Sequence, residues 1–198
     1  MSMSSNATDP ILYSFPESFE TERLIIRAAR WGEGASLNEA IAESLEELRP
    51  WMPFARIMPT LEESEVFTRQ ARLDFLKRTN LHMRIFEKNT EKFIGCSGLH
   101  QIDWETRNFE IGYWIRSSCS GYGYMTEAVN GLTDFAIHTL AANRIEIRCS
   151  ARNINSAAVA ERAGYTLDGI LRSNRRGEDG ELHDTKVYAK VRGAEFGK

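Results

Sequence analysis

The sequence predicts an α/β fold in a single domain, with one sheet flanked by helices. Residues 108–115 are aromatic and β-branched, and their side chains alternate between two faces, which is typical of a strand. A glycine loop follows at residues 120–123, and beyond it apolar residues recur at the spacing of one helix face. Further strand-like and helix-like segments follow one another, an order that favours helices packed around one sheet. The apolar helix face beyond the glycine loop consists of Met125, Val129, Leu132, Phe135, Ala136 and Leu140.

Length and composition are those of an ordinary globular protein. The chain has 198 residues, of which 42% are hydrophobic and 27% charged, enough for one domain with a substantial core. The net charge of −3 argues against nucleic-acid binding, because neutralising phosphates needs a basic surface. We expect a loose leader at residues 1–20, which carry Ser, Asn, Asp and Pro with little periodicity, and one domain at residues 21–198.

Cysteine usage and hydropathy bear on the compartment. Cys96, Cys119 and Cys149 form no CxxC pair, which favours reduced thiols and predicts neither a disulfide framework nor a metal site. The sequence shows no apolar run long enough to span a bilayer and no signal peptide at its N-terminus. We therefore expect a cytoplasmic protein that does not bind a membrane.

The N-terminal half begins with a predicted strand at residues 23–28 and continues with two helices. The first helix is predicted at residues 35–48, where leucine and isoleucine recur at helical spacing and prolines follow. The second is predicted at residues 61–77, with Thr60 as its N-cap and Glu63 as the capping-box partner.

The rest of the chain is predicted to complete the sheet. Residues 144–150 alternate strictly, with Ile145, Ile147 and Cys149 directed inward. Residues 172–181 are polar and include a hairpin-like turn at Asp179-Gly180. The other predicted elements are strands at 81–86, 93–98, 165–171 and 185–191, and a short helix at 153–163.

The glycine loop has a physical use where it feeds the helix. Free N–H groups and the positive end of the helix dipole attract phosphate, and Gly121 and Gly123 let a ligand approach the backbone closely. A tight turn before an ordinary helix explains the same pattern equally well. The loop lacks the Gly-Lys-Ser/Thr ending of a nucleoside-triphosphate loop, and Thr126 stands where a dinucleotide fingerprint needs a third glycine.

Two sequence blocks resemble a known family. The first is Glu-Ile-Gly-Tyr-Trp-Ile at residues 110–115 followed by Gly-Tyr-Gly-Tyr-Met-Thr-Glu-Ala at residues 121–128. The second is Asn-Ile-Asn-Ser at residues 153–156 with Ala-Gly-Tyr at residues 163–165. In order and separation they resemble the acetyl-CoA site of the GNAT N-acetyltransferases, in the RimJ/RimL-like branch that acts on ribosomal-protein N-termini, and the resemblance extends over about residues 22–191.

The resemblance implies a fold, a reaction and an assembly. The fold is a mixed, mostly antiparallel sheet with a V-shaped opening between the fourth and fifth predicted strands. The reaction moves an acetyl group from acetyl-CoA to a primary amine, either a protein N-terminal α-amino group or a small amine such as an amino acid, polyamine or drug. A non-catalytic acyl-CoA sensor of the same fold is the alternative from another class. Relatives suggest a homodimer.

The resemblance also assigns residues to acetyl-CoA. The backbone N–H groups of residues 121–126 would hold the pyrophosphate, and Asn153 would bind the pantetheine arm. Ser156 would donate a hydrogen bond or a proton to the departing thiolate, unless it is an ordinary residue of the short helix. Ser120 departs from the family, which has Gln or Arg there. The full set is Tyr113, Trp114, Ile115, Ser120, Gly121, Tyr122, Gly123, Tyr124, Met125, Thr126, Asn153 and Ser156.

Glu110 is the candidate general base. It lies on the strand face opposite Ile111, and burial near Trp114 would raise its pKa towards neutrality. The alternative, a structural glutamate bonded to a neighbouring arginine, stays open. In some RimL-like enzymes a later glutamate is thought to be the base, but the matching position falls near Arg175, which leaves Glu178 and Asp184 as substitutes.

The acceptor groove is implied by the same resemblance. The two N-terminal helices and their loop would form one wall, so Trp51 and Phe54 would line the groove or else cover the sheet edge. His183 and Asp184, near the last strand, are weaker candidates for acceptor contact. The four histidines have no ligand spacing, and we interpret them as non-catalytic.

Overall fold

The predicted central strand lies inside one sheet. The structure is a computed structural model that describes residues 8–177 and 179–197. The strands are β1 (Ser18–Glu20), β2 (Leu24–Ala28), β3 (Leu81–Glu87), β4 (Phe93–Asp103), β5 (Asn108–Ile115), β6 (Arg144–Ser150), β7 (Thr166–Arg176) and β8 (Leu182–Val191). The helices are α1 (Gly34–Glu43), α2 (Leu45–Leu48), α3 (Leu61–Lys77), α4 (Tyr124–His138) and α5 (Ile154–Arg162).

The sheet is mixed and opens at one point. Its described strands lie in the order β1-β2-β3-β4-β5-β6-β8-β7, and every neighbouring pair except one is antiparallel. The parallel pair, β5 with β6, is joined only over residues 108–110, and Glu110 opposite Glu146 is its last step. Beyond Glu110 the two strands separate. The predicted fold, with an opening between the fourth and fifth predicted strands, is confirmed.

Alternation along β5 separates two hydrophobic clusters. Phe109 and Ile111 are buried in the larger cluster with the apolar face of α4. Trp114 points to the other face of the sheet, where it packs with Leu37 and Ile41 of α1. The two-residue period of the strand thus gives β5 a helix layer on each face.

The long helix and the capped helix form as predicted. All six apolar positions of the predicted helix face, from Met125 to Leu140, are buried. Thr60 caps α3 by accepting a hydrogen bond from the Glu63 N–H at 3.1 Å, and the Glu63 carboxylate accepts one from the Thr60 N–H at 2.7 Å. None of the helices in the described part of the chain is long and apolar enough to cross a bilayer.

The predicted leader contributes to the fold. Residues 18–20 form β1, which pairs antiparallel with β2, so the prediction of a loose segment up to residue 20 is wrong for this part. Phe19 stacks on Phe135 of α4 with 5.0 Å between ring centroids, and Phe15 meets the same ring edge-on at 6.1 Å. These aromatic contacts hold the segment on the sheet edge. Residues 1–7 lie outside the described residues.

Two further predicted boundaries differ from the structure. The helix predicted at residues 35–48 is interrupted at Ser44, where φ is −110° and ψ is 12°, so it forms α1 and α2. The first half of the polar stretch at residues 172–181 is strand, because β7 continues to Arg176, where it pairs with Leu182 of β8. Asp179 and Gly180 lie in the turn between the two strands, as the pair predicts, and the Gly177 N–H donates to the Glu181 carbonyl at 2.9 Å.

Candidate active site

Glu110 occupies the apex of the opening between β5 and β6. Its Oε2 lies 3.6 Å from Nε of Arg148, and its Oε1 lies 3.9 Å from Nε2 of His100, the residue opposite on β4. Burial raises the pKa of the Glu110 carboxyl, Arg148 counteracts that rise, and Glu146 adds to it. The Glu110 carboxylate therefore has the arginine partner that a structural role would require, and also the raised pKa that a general base would require.

His100 connects this carboxylate with a cavity. Its imidazole lines the cavity, and burial together with Arg148 lowers its pKa, which keeps it neutral near pH 7. Gly112 provides the space, because a Cβ there would lie 2.6 Å from Nε2 of His100. The interpretation of the histidines as non-catalytic did not foresee this position. The feature of the sequence that could have indicated it is Gly112, which lies two residues beyond Glu110 on the same strand face and leaves room for a side chain from the neighbouring strand.

The cavity lies between the sheet and the first helices, with a volume of about 360 Å³. Phe54, one of the two aromatic residues assigned to the acceptor groove, lies in its lining, and its ring centroid lies 6.1 Å from that of Trp114. Trp51 is absent from the described lining, and its carbonyl accepts a hydrogen bond from Arg175 at 3.3 Å. The apolar side chains of the lining include Leu37, Ile41, Met52, Phe54, Phe67 and Trp114.

The glycine loop has the conformation that a phosphate cradle needs. Gly121 and Gly123 have φ values of +85° and +79°, which L side chains rarely adopt. Gly123 is the N-cap of α4 and supplies no side-chain cap, so the first N–H groups of a 15-residue helix stay available. A Cβ at Gly121 would meet nothing within 4 Å, which leaves the space over the loop open.

An ion pair that the sequence reasoning missed holds this loop. The Glu127 carboxylate accepts hydrogen bonds from Thr21 Oγ1 at 2.6 Å and from Arg23 Nε at 2.6 Å. Arg23 in turn donates to the Tyr122 carbonyl at 3.0 Å. The glycine loop is thereby fastened to the start of β2. Neither the Thr-Glu-Arg stretch at residues 21–23 nor the helix sequence around Glu127 indicates this contact on its own.

Tyr113, Asn153 and Ser156 meet across the opening. The Tyr113 hydroxyl donates to the Ser156 carbonyl at 2.9 Å and lies 3.0 Å from Ser156 Oγ. Asn153 caps α5, since its Oδ1 accepts a hydrogen bond from the Ser156 N–H at 3.0 Å. Burial raises the pKa of Tyr113, so its hydroxyl stays protonated near neutral pH. Ser156 is therefore held at the edge of the opening by β5 on one side and by its own helix cap on the other.

The other residues predicted to bind acetyl-CoA have different surroundings. The Trp114 side chain faces the cavity, and Ile115 packs against the larger hydrophobic cluster. Met125 is buried in the same cluster, whereas Thr126 Oγ1 accepts a hydrogen bond from Arg162 at 3.4 Å. The Ser120 N–H donates to the Ser117 carbonyl at 3.1 Å. Of the loop tyrosines, Tyr122 is exposed and Tyr124 donates to Glu87 at 2.5 Å.

The candidates on the last hairpin lie apart from the cavity lining. His183 is buried, with Nε2 2.9 Å from Asp179 Oδ2. Asp184 is exposed, and its Oδ1 accepts a hydrogen bond from the Ser173 N–H at 2.8 Å. Both side chains are engaged within the β7–β8 hairpin, and their contact with an acceptor stays a prediction. Glu178 lies outside the described residues, and the described ones contain no cluster of potential metal ligands.

Comparison with known proteins identifies the family. Residues 23–166 match the family described as Acetyltransferase (GNAT) domain. The probable N-acetyltransferase YjcK of Bacillus subtilis (strain 168) is 38% identical over 121 residues, which are 61% of this chain and 65% of that protein, slightly less than two thirds of its length. The ribosomal-protein-serine acetyltransferase of Escherichia coli (strain K12) is 26% identical over 148 residues, 72% of this chain and 80% of that protein.

Solved structures agree with the fold. The microcin self-immunity acetyltransferase MccE, in complex with acetyl-CoA and AMP, superposes with a TM-score of 0.82 at 24% identity, covering 90% of this chain and 98% of that one. The ribosomal α-N-protein acetyltransferase RimL, in complex with coenzyme A, superposes with a TM-score of 0.81 at 24% identity, covering 90% and 99%. The chain belongs to the GNAT acetyltransferases, and its predicted enzyme class and its donor, acetyl-CoA, are confirmed.

Proposed function

We propose that this acetyltransferase acetylates the α-amino group of a protein N-terminus. The observation that carries the proposal is the position of Glu110, a carboxyl with a raised pKa at the apex of the opening, beside the cavity-lining His100. A protein acceptor is supported by the E. coli relative, whose name states that it acetylates a ribosomal-protein serine.

The strength of this base suits an α-amine better than a lysine. An α-amino group has a pKa of about 7.8 and a lysine of about 10.4, so deprotonation at pH 7 costs about 1 and about 4.5 kcal/mol respectively. Glu110 gains basicity from burial but loses part of it to Arg148. A carboxylate of this kind, with His100 between it and the cavity, is sufficient for the smaller cost. We infer that the ammonium proton leaves the cavity through His100 or a water towards Glu110.

The residues around the glycine loop fit the phosphate end of acetyl-CoA. The free N–H groups at the start of α4 and the left-handed glycines offer donors and close approach to a pyrophosphate. The Oδ1 of Asn153 is occupied by its cap, which leaves the amide NH₂ group of Asn153 for the pantetheine arm. When bound, acetyl-CoA supplies a thioester whose acetyl carbonyl an amine can attack.

Ser156 and Tyr113 provide a protonated hydroxyl pair at the same opening. The raised pKa of Tyr113 keeps its proton in place, and its hydroxyl lies 3.0 Å from Ser156 Oγ. We infer that Ser156 gives a hydrogen bond or its proton to the leaving thiolate and that Tyr113 orients Ser156. A side chain with this role acts in the transition state rather than in acceptor binding.

Release of free CoA thiol with matched acceptors tests the proposal. The same peptide is offered in three forms: with its α-amine free, with its α-amine blocked and its lysine free, and with both amines blocked. We expect turnover only with the free α-amine. Turnover of the lysine peptide alone, or of small amines but no peptide, would contradict the proposal and favour the small-amine alternative.

The assembly and the compartment stay predictions. A homodimer is suggested by the family resemblance, and light scattering of the purified chain tests it directly. The predicted cytoplasmic location is tested by fractionating cells that produce the tagged full-length protein.

A further inference from the structure

We propose that the acceptor's first residue has a large apolar side chain and that this side chain fills the cavity beside β5. The inference rests on the proposed function and names the class of N-terminus that the site selects. It differs from the serine named for the E. coli relative.

The walls of the cavity are apolar on three sides. Leu37 and Ile41 come from α1, Met52 and Phe54 from the following loop, and Phe67 from α3. The floor is the sheet, where Trp114 contributes its ring. Such walls stabilise an apolar group by removing it from water, whereas a serine side chain would gain little from them.

The two serine hydroxyls of the lining are already engaged. Ser97 Oγ donates to the Gly112 carbonyl at 3.0 Å, and Ser64 Oγ donates to the carbonyl of Thr60 at 3.0 Å. A serine hydroxyl entering the cavity would therefore leave its own water partners and find these two hydroxyls already bonded, which is unfavourable.

The charges near the cavity do not favour a cationic side chain. Burial lowers the pKa of His82 to about 4, and the pKa of His100 is lowered too, so both imidazoles are neutral at pH 7. Arg84 is 3% exposed, and its guanidinium donates to Thr68 Oγ1 and Cys96 Sγ, each at 2.9 Å. The Arg84 guanidinium also lies 6.0 Å from the Phe67 ring centroid, an arrangement that stabilises a cation without an acidic partner.

Charged groups at the margins of the cavity are bound as well. Glu63 belongs to the lining, but it is exposed and its carboxylate is held by the Thr60 cap, which lowers its pKa. Glu110 and Arg148 face His100 from β5 and β6, outside the described lining. The charge that remains in the buried part of the lining is the Arg84 guanidinium, which disfavours a cationic first side chain and already bonds Thr68 and Cys96.

Size and position connect the cavity with the transfer site. A volume of about 360 Å³ lies near the lower end of the ~300–1,000 Å³ range of ligand sites, so it suits one large side chain with the adjoining backbone. Gly112, Tyr113 and Trp114 line the cavity and also belong to the part of β5 that borders the opening. A side chain seated in the cavity therefore brings its own α-amine to β5 near Glu110.

A set of peptides that differ only in the first residue tests the inference. With Ser, Ala, Leu and Phe in that position, we expect kcat/KM for Leu and Phe to exceed that for Ser by at least about tenfold, because one methylene is commonly worth that much in an apolar pocket. Equal or higher kcat/KM for Ser or Ala overturns the inference and leaves N-terminal acetylation intact. If no peptide is acetylated while a free amine is, the proposed function fails and this inference fails with it.

Two exposed aromatic residues of the lining allow a test that does not threaten the fold. Phe54 and Phe67 are 41% and 46% exposed, so Phe54→Ala and Phe67→Ala should fold normally. Each should reduce the Leu-to-Ser ratio of kcat/KM by at least about threefold. The matched control is Leu73→Ala, since Leu73 is a 39% exposed apolar residue of α3 outside the described lining. If the Leu-to-Ser ratio of kcat/KM in Phe54→Ala and Phe67→Ala equals that in the Leu73→Ala control, the assignment of the cavity is overturned.

Discussion

The Tyr113 hydroxyl and Ser156 join β5 to α5 across the opening in the sheet. The hydroxyl donates to the Ser156 carbonyl at 2.9 Å and lies 3.0 Å from Ser156 Oγ. The carbonyl contact fixes the backbone of the first turn of α5, and the Oγ contact fixes the serine rotamer. The site therefore has a preoriented hydroxyl where a leaving group can be protonated.

Ser156→Ala should lower kcat by about 10- to 100-fold with little change in the acceptor KM, because the hydroxyl is expected to act on the leaving group only in the transition state. Steady-state kinetics with one peptide measures both constants. Tyr113→Phe keeps the ring but removes the Oη contacts, so it should show a smaller loss in kcat. A raised acceptor KM in Ser156→Ala, with kcat unchanged, would assign Ser156 to the acceptor instead.

Gly123→Val should weaken coenzyme A binding by at least about tenfold, or about 1.4 kcal/mol. The physical reason is the φ of +79°, which a β-branched residue rarely adopts, at the residue that caps α4. Calorimetric titration measures the affinity. Gly193→Val is the matched control, because Gly193 has a φ of +85° and nothing within 4 Å of a built Cβ. Equal affinity in the two folded variants would argue against a phosphate contact at the loop.

The ion pair between Arg23 and Glu127 should act on donor binding rather than on chemistry. Glu127→Ala releases the loop from β2, so we expect the KM for acetyl-CoA to rise by about three- to tenfold while kcat changes little. Arg23→Ala should have a similar effect, and the double variant should be no worse than either single one, since both changes remove the same contact. Arg72→Ala is the control, because Arg72 pairs with Glu17 on another part of the surface. Fully additive losses would show that the two residues do not act as one unit.

The sequence predicted those parts of the site that depend on local patterns. Alternation on β5 was enough to place Glu110 and Trp114 on one face and Ile111 on the other, and the glycines were enough to predict a loop before α4 that a ligand can approach closely. These features depend on residues close together in the chain, where periodicity and backbone sterics act directly.

Contacts between distant residues were beyond the reach of such patterns. Arg23 and Glu127 lie 104 positions apart, and nothing in either local segment indicates the other. The closeness of His100 to Glu110 depends on the register between β4 and β5, which one shifted residue would abolish. The strand at residues 18–20 is short, and its stability comes from aromatic packing on α4 rather than from its own pattern.

Arg148 should set the pH at which the enzyme becomes active. Arg148 lowers the pKa of Glu110, and a base works only when deprotonated, so removing the arginine should raise that pKa and move the acidic limb to higher pH. The measurement is the pH profile of kcat/KM for one peptide with the wild-type protein and with Arg148→Met. A limb that stays in place or moves to lower pH would show that it reports another group.

The central claim is that Glu110 accepts the amine proton, and Glu110→Gln tests it most directly. The change keeps the shape and removes the base, so kcat should fall by ~10²–10⁴ and the limb assigned to Glu110 should disappear. The same peptide must be used throughout, since its α-amine has a pKa of about 7.8 and gives a limb of its own. Glu146→Gln, which changes the carboxylate opposite Glu110 on β6, should keep kcat within about threefold. A wild-type rate and an unchanged pH profile in Glu110→Gln would contradict the claim and leave Glu110 as the structural partner of Arg148.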